Sequence, residues 1–140
     1  MKILIDLNIV LDVVLNREPW VAEAKQIWNA HQSGMIDGFL VATEITNLFY
    51  IVRRISGESC ARMAVNECLT TFEIAKVSHE TLEDANHRPG LDFEDNVCIA
   101  CGAATGVDGI VTRDPKGFSH SEIPVFSPAE LITHLFMQRQ

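Results

Sequence analysis

The chain has 140 residues, 47% hydrophobic and 21% charged, with a mean hydropathy of +0.11, the balance of a globular protein the size of one domain. Nineteen acidic against eleven basic side chains give a net charge of −8, which argues against a nonspecific binder drawn to nucleic acid by a basic field and leaves room for a small acidic pocket working through a cation. No run approaches the ~20 apolar residues of a membrane span. The N-terminal MKILIDLNIVLDVVL is interrupted by Asp6, Asn8 and Asp12, with no small-residue cleavage site after it, so a cytoplasmic protein without signal peptide or membrane contact is expected.

Lys2 to Ile5 is a β-branched run that stops at Asp6, as a buried parallel strand would. Helical spacing follows from Leu7 to Leu15. Pro19 suits the first turn of a helix over Trp20 to His31, and Gly34 closes it. Gly38 to Ala42 is a second strand, with Thr43 as N-cap of a helix from Glu44 to about Ile55. Ser59 to Leu69 reads as a helix, Thr71 to Val77 as a third strand, and His79 to Asn86 as a short polar helix stopped by Pro89-Gly90. A helix from Asp92 to about Thr105, packed with small residues, leads through Gly106 to a strand at Gly109 to Thr112. After a loop from Pro115 to Glu122, Pro124 to Phe126 forms an edge strand and Pro128 starts a closing helix. Strands alternating with helices predict an α/β domain with a mostly parallel sheet of four to five strands, spanning residues 1–140 as one unit.

In such a fold, strand ends and the starts of the helices that follow them share the carboxyl edge of the sheet, where ligands bind. Asp6 and Asp114 each end a strand, and Glu44 opens the helix after one. The helix carrying Asp92 and Asp95 feeds the amino end of the next strand, so its own start lies at the carboxyl edge too. Taken singly, each acid also fits an N-cap, a first-turn dipole partner or a turn. Taken together they repel: two carboxylates at ~4 Å cost about 4 kcal/mol at an effective dielectric of ~20. Hard oxygen donors without nearby His or Cys favour Mg²⁺ or Mn²⁺ as the neutralising cation.

Asp6 in ILIDLNIVLD, Glu44 in ATEITNLFYI, Asp95 in DFEDNVCIACGAATG and Asp114 in IVTRDPKGF resemble the four acidic motifs of PIN-domain ribonucleases, which include the toxins of VapBC-type toxin–antitoxin modules. The resemblance runs the length of the chain and is most specific in its last two motifs. It implies a three-layer, Rossmann-like sheet of order 3-2-1-4-5 and a Mg²⁺- or Mn²⁺-dependent endoribonuclease. It further implies an RNA substrate, an antitoxin partner and a homodimer. By the same resemblance Asp6, Glu44, Asp95 and Asp114 form the catalytic, metal-binding quartet, with Asp92 a supporting acid and Thr112 a polar neighbour of the metal. Asn96 departs from the family pattern, standing where relatives commonly have alanine. Arg113 and Lys116, just past the strand edge, are candidates for the RNA backbone.

Cys98 and Cys101 match C-x-x-C, but they lie well inside a helix, away from the start where a redox pair gains thiolate stabilisation. Core packing is expected for them and for Cys60 and Cys68. The five histidines are scattered, form no ligand pair and are expected at the surface. A haloacid dehalogenase-like phosphatase would want a second aspartate where Asn8 stands, and a receiver domain a phospho-accepting Asp where Val77-Ser78 stand. The rival from another class is an inactive PIN-like module that only binds RNA or a protein.

Overall fold

The computed structural model describes residues 1–140. Five strands, β1 (Lys2–Ile5), β2 (Asp37–Val41), β3 (Glu73–Ala75), β4 (Gly109–Val111) and β5 (Val125–Phe126), form one sheet. All pairings are parallel and the order is β3-β2-β1-β4-β5. Seven helices connect and cover it: α1 (Leu7–Val14), α2 (Val21–Gln32), α3 (Ala42–Ser56), α4 (Glu58–Thr71), α5 (His79–His87), α6 (Phe93–Thr105) and α7 (Pro128–Gln138), with a 3₁₀ turn at Pro115–Phe118.

Alternation along the strands separates two cores. Ile3, Ile5, Leu40 and Val111 point to the side covered by α1, α2, α3, α4 and α7. Leu4, Val41, Ala75 and Ile110 point to the side covered by α5 and α6. This is the expected three-layer α/β arrangement, and it buries β1 and β4 on both faces. No helix is long and apolar enough to cross a membrane.

Several local expectations shift. Thr43 does not cap α3: the helix begins at Ala42, directly from β2, and Val41 takes the capping position with extended backbone. Glu44 nonetheless stays in the first turn. α2 begins at Val21, after Pro19, which leaves the Trp20 ring 43% exposed outside the helix. β3 is shorter than Thr71 to Val77 because α4 continues to Thr71, and Phe72 turns inward against Trp28. His31 is not a surface residue. Its Nδ1 accepts the Gly38 N–H at 2.9 Å and its Nε2 meets the Thr71 carbonyl at 2.5 Å, which ties α2 to β2 and to the end of α4. Cys68, Cys98 and Cys101 are buried, but Cys60 is exposed near the start of α4.

Candidate active site

The carboxyl edge of the sheet carries the acids because β1, β2 and β4 all end there. Asp6 follows β1 and donates its N–H to the Val111 carbonyl at 3.0 Å, so it sits between β1 and β4. The Thr112 hydroxyl, fully buried just after β4, donates to Asp6 Oδ2 at 2.8 Å. The Thr112 hydroxyl oxygen in turn accepts the N–H of Asp114 at 3.1 Å. One hydroxyl thus fixes the side chain of Asp6 and the backbone of Asp114.

Glu44 is 5% exposed. Its Oε1 accepts the Cys98 thiol at 3.0 Å, whereas its Oε2 is buried without any partner. Asp92 caps α6, its Oδ1 accepting the Asp95 N–H at 3.2 Å. Asp95 is half-buried in the first turn of that helix, and the chain at Gly117 passes so close to its carboxylate that a side chain there would collide with it. Asn96 is buried one position on and donates to the Gly90 carbonyl at 2.8 Å, holding the segment that enters α6. Asp6, Glu44, Asp92, Asp95 and Asp114 line one cleft with Asn8, Glu94 and Phe118. A more apolar hollow between α2 and α7 contains no ionisable side chain.

The charges in the cleft are held against their preference. Burial first, and then the Asp6 charge, push the Glu44 carboxyl up to about 8. Burial and then Asp92 push Asp95 up to about 6. Asp6 is raised by burial, against the opposing hydrogen bond from Thr112. A cation would reverse each of these shifts, and the donor set is all oxygen, suited to a hard divalent ion. The unpartnered Glu44 Oε2 is the orphan atom such an ion would satisfy. No group of three or more His, Cys, Asp or Glu side chains is arranged to hold an ion directly in this conformation.

Of the residues expected at the site, Thr112 stands behind Asp6, outside the cleft lining, and Lys116 is exposed in the 3₁₀ turn and is likewise not part of that lining. Arg113 is turned away. Its Nε and Nη2 contact Asp12 at 2.8 and 3.3 Å, and its guanidinium carbon lies 4.1 Å from the centre of the Trp20 ring. Asp12 is 1% exposed and takes a second cation, Arg17, at 3.6 Å. Sequence reasoning saw Asp12 only as an interruption of an apolar run. The pairing spans 101 positions, and only the interrupted periodicity signalled it. The thiol donor on Glu44 was also missed, hidden by the sound expectation that Cys98 packs in the core.

The PIN domain family profile matches residues 2–116. The chain belongs to the PIN-domain family. A comparison with curated proteins by sequence returns no match. Solved structures share the PIN fold. A toxin–antitoxin complex from Klebsiella pneumoniae aligns at 23% identity and TM-score 0.66, over 89% of this chain and 96% of that one. A DNA-bound VapBC from Salmonella typhimurium aligns at 12% identity and TM-score 0.71, over 91% and 98%. VapC20 of Mycobacterium tuberculosis, a toxin that cleaves the sarcin–ricin loop, aligns at 14% identity and TM-score 0.68, over 84% and 93%. At these identities the likeness concerns the fold.

Proposed function

We propose that this PIN-domain protein, one domain over residues 1–140, is a Mg²⁺- or Mn²⁺-dependent endoribonuclease. We further propose that it is the cytoplasmic toxin of a toxin–antitoxin pair and acts as a homodimer. The observation that carries the nuclease reading is Glu44: a buried carboxylate with one unpartnered oxygen, in a cleft shared with Asp6, Asp95 and Asp114. Such a buried carboxyl either keeps its proton, as its rise to about 8 implies, or exchanges that proton for a cation. The toxin reading draws support from the PIN family and from the toxin–antitoxin complexes among the structures of the same fold.

Asp6 and Asp95 are the first choice for direct ligands, with Glu44 and Asp114 engaging through water or a second ion. A divalent ion there supplies polarisation of a phosphoryl oxygen and activation of water near neutral pH. The chain supplies the positioning. Thr112 orients Asp6 and Asp114 together, Cys98 holds one oxygen of Glu44 so that the other is presented, and Asp92 fixes the helix start that carries Asp95.

A second reading, an inactive module that binds RNA or protein, is favoured by one observation: no three carboxylates are set for direct ligation. RNA cleavage with Mn²⁺ by wild type, Asp6→Asn and Asp95→Asn decides between them. The nuclease reading expects both variants to lose activity, and equal cleavage by all three would sink it. Mn²⁺ must also raise the thermal stability of the wild type, since a ligand of the native state stabilises it. For the toxin role, the test is whether the adjacent gene encodes a small DNA-binding protein that relieves growth arrest on co-expression.

A further inference from the structure

The acidic cleft continues into a second groove, of about 340 Å³, with which it shares the walls Leu7, Asn8 and Glu94. That groove lies between α1 and α3. Its α3 side presents Asn47, Tyr50, Ile51 and Arg54, spaced i, i+3, i+4 and i+7, and therefore on one helical face. Its volume falls within the ~300–1,000 Å³ typical of small-ligand sites. Resting on the nuclease reading above, we propose that this groove is a nucleotide subsite: it receives an unpaired base of the RNA strand flanking the scissile phosphate, with that nucleotide's phosphate on Arg54.

Three observations support this occupant. The first is an exposed aromatic side chain in the groove: Tyr50 is 55% exposed, lines the groove with Leu11 and Ile51, and makes an edge-to-face contact with Phe49. Base–aromatic stacking needs such a ring and tolerates any base. The second is hydrogen-bonding capacity, because the Asn47 amide donates to Glu94 on the wall common to both grooves and retains its carbonyl for a base edge.

The third concerns charge. Around a cleft lined by acids, Arg17 and Arg113 are committed to Asp12. Arg54 is exposed and forms no ion pair with any carboxylate. Lys116 is likewise free, and it follows β4, whereas Arg54 belongs to the helix after β2. These strands flank β1 on opposite sides. Arg54 lies in the last turn of α3, ten positions past Glu44 and so about 15 Å further along that helix, where a strand leaving the acids along the groove meets it beyond Tyr50. A duplex keeps its bases stacked inside and cannot offer one to Tyr50, so the strand entering here is single-stranded or a loop.

The test measures anisotropy of a labelled, mixed-sequence 12-mer RNA with phosphorothioate linkages, single-stranded or annealed, in Mn²⁺. Wild type is expected to prefer the single strand. Tyr50→Ala should weaken that binding about 10-fold, while Tyr50→Phe, which keeps the ring, should stay within about two-fold. Arg54→Ala should lower the slope of log affinity against log salt by ~0.7, one phosphate contact on a single strand. Unchanged affinity and salt slope in both alanine variants would overturn the subsite. So would variants that bind RNA normally but lose a co-purified protein partner, which would assign the groove to protein. Mn²⁺-induced thermal stabilisation, read on the same samples, separates the two claims. If it persists in wild type and variants while RNA binding ignores the substitutions, the subsite fails alone; if it is absent from wild type, the metal-site reading fails, and the variants' RNA affinities still decide the subsite.

Discussion

Two carboxylates of this protein are equally hidden and oppositely treated. Asp12 is met by two guanidinium groups, with Trp20 stacked on one of them. Glu44 has a thiol on one oxygen, nothing on the other, and further acids as its cleft neighbours. The fold has the means to neutralise a buried acid, and it applies them about one turn into α1 while leaving Glu44 unserved. Buried charge at Asp12 is structure; at Glu44 the carboxyl keeps its proton up to about 8, a place open to a cation from outside the chain.

That contrast can be broken by experiment. The largest effect is expected at Asp12: replacing it with alanine leaves Arg113 without its partner and should cost about 3 kcal/mol, the scale for breaking a buried ion pair, read by urea unfolding without metal. A loss under about 1 kcal/mol would mean the pair is ornamental. At Glu44 the sign depends on pH. Its folded-state carboxyl, at about 8, lies above the ordinary 4.5. The unfolded chain therefore releases this proton first, so the contribution of Glu44 to the stability of the metal-free protein is intact below pH 4.5 and is lost as pH rises toward 8, by an amount on the order of a few kcal/mol. Glu44→Gln should flatten that decline, and parallel pH profiles for the two proteins would remove Glu44 from the account.

Smaller effects follow nearer the acids. Gly117→Ala forces Asp95 or the 3₁₀ turn to shift and should weaken Mn²⁺ binding by ~10-fold or more, read by calorimetry, with modest change in unfolding. Thr112→Val removes the hydroxyl shared by Asp6 and Asp114 and should weaken it about 10-fold, the lower end for outer partners of metal ligands. If either variant binds Mn²⁺ like wild type, the side chains it supports are not the ligands.

The fold was legible because its signals are local. Short apolar runs ending in Asp6 and before Asp114, separated by helical spacing, are enough to demand parallel strands, and parallel strands bring their carboxyl ends together whatever the connections do. The gathering of Asp6, Glu44, Asp95 and Asp114 in one cleft follows from that geometry. What escaped was pairing across the chain. Nothing near Arg113 in sequence says that its guanidinium will turn to Asp12 and not to the cleft, and nothing near Cys98 says that a packing residue will also donate to Glu44. Thr43 misled for a related reason: a good capping residue is redundant where a strand runs straight into a helix.

Trp20 gives the stacked arginine a further significance. The chain has two tryptophans. Trp28 is 7% exposed in the core, and Trp20 is 43% exposed with its ring against Arg113, the residue between Thr112 and Asp114. The molecule therefore carries a water-exposed indole stacked on the residue next to Asp114, while its other indole is buried. Events at the end of β4 can be followed by the intrinsic light of the protein, with no label attached.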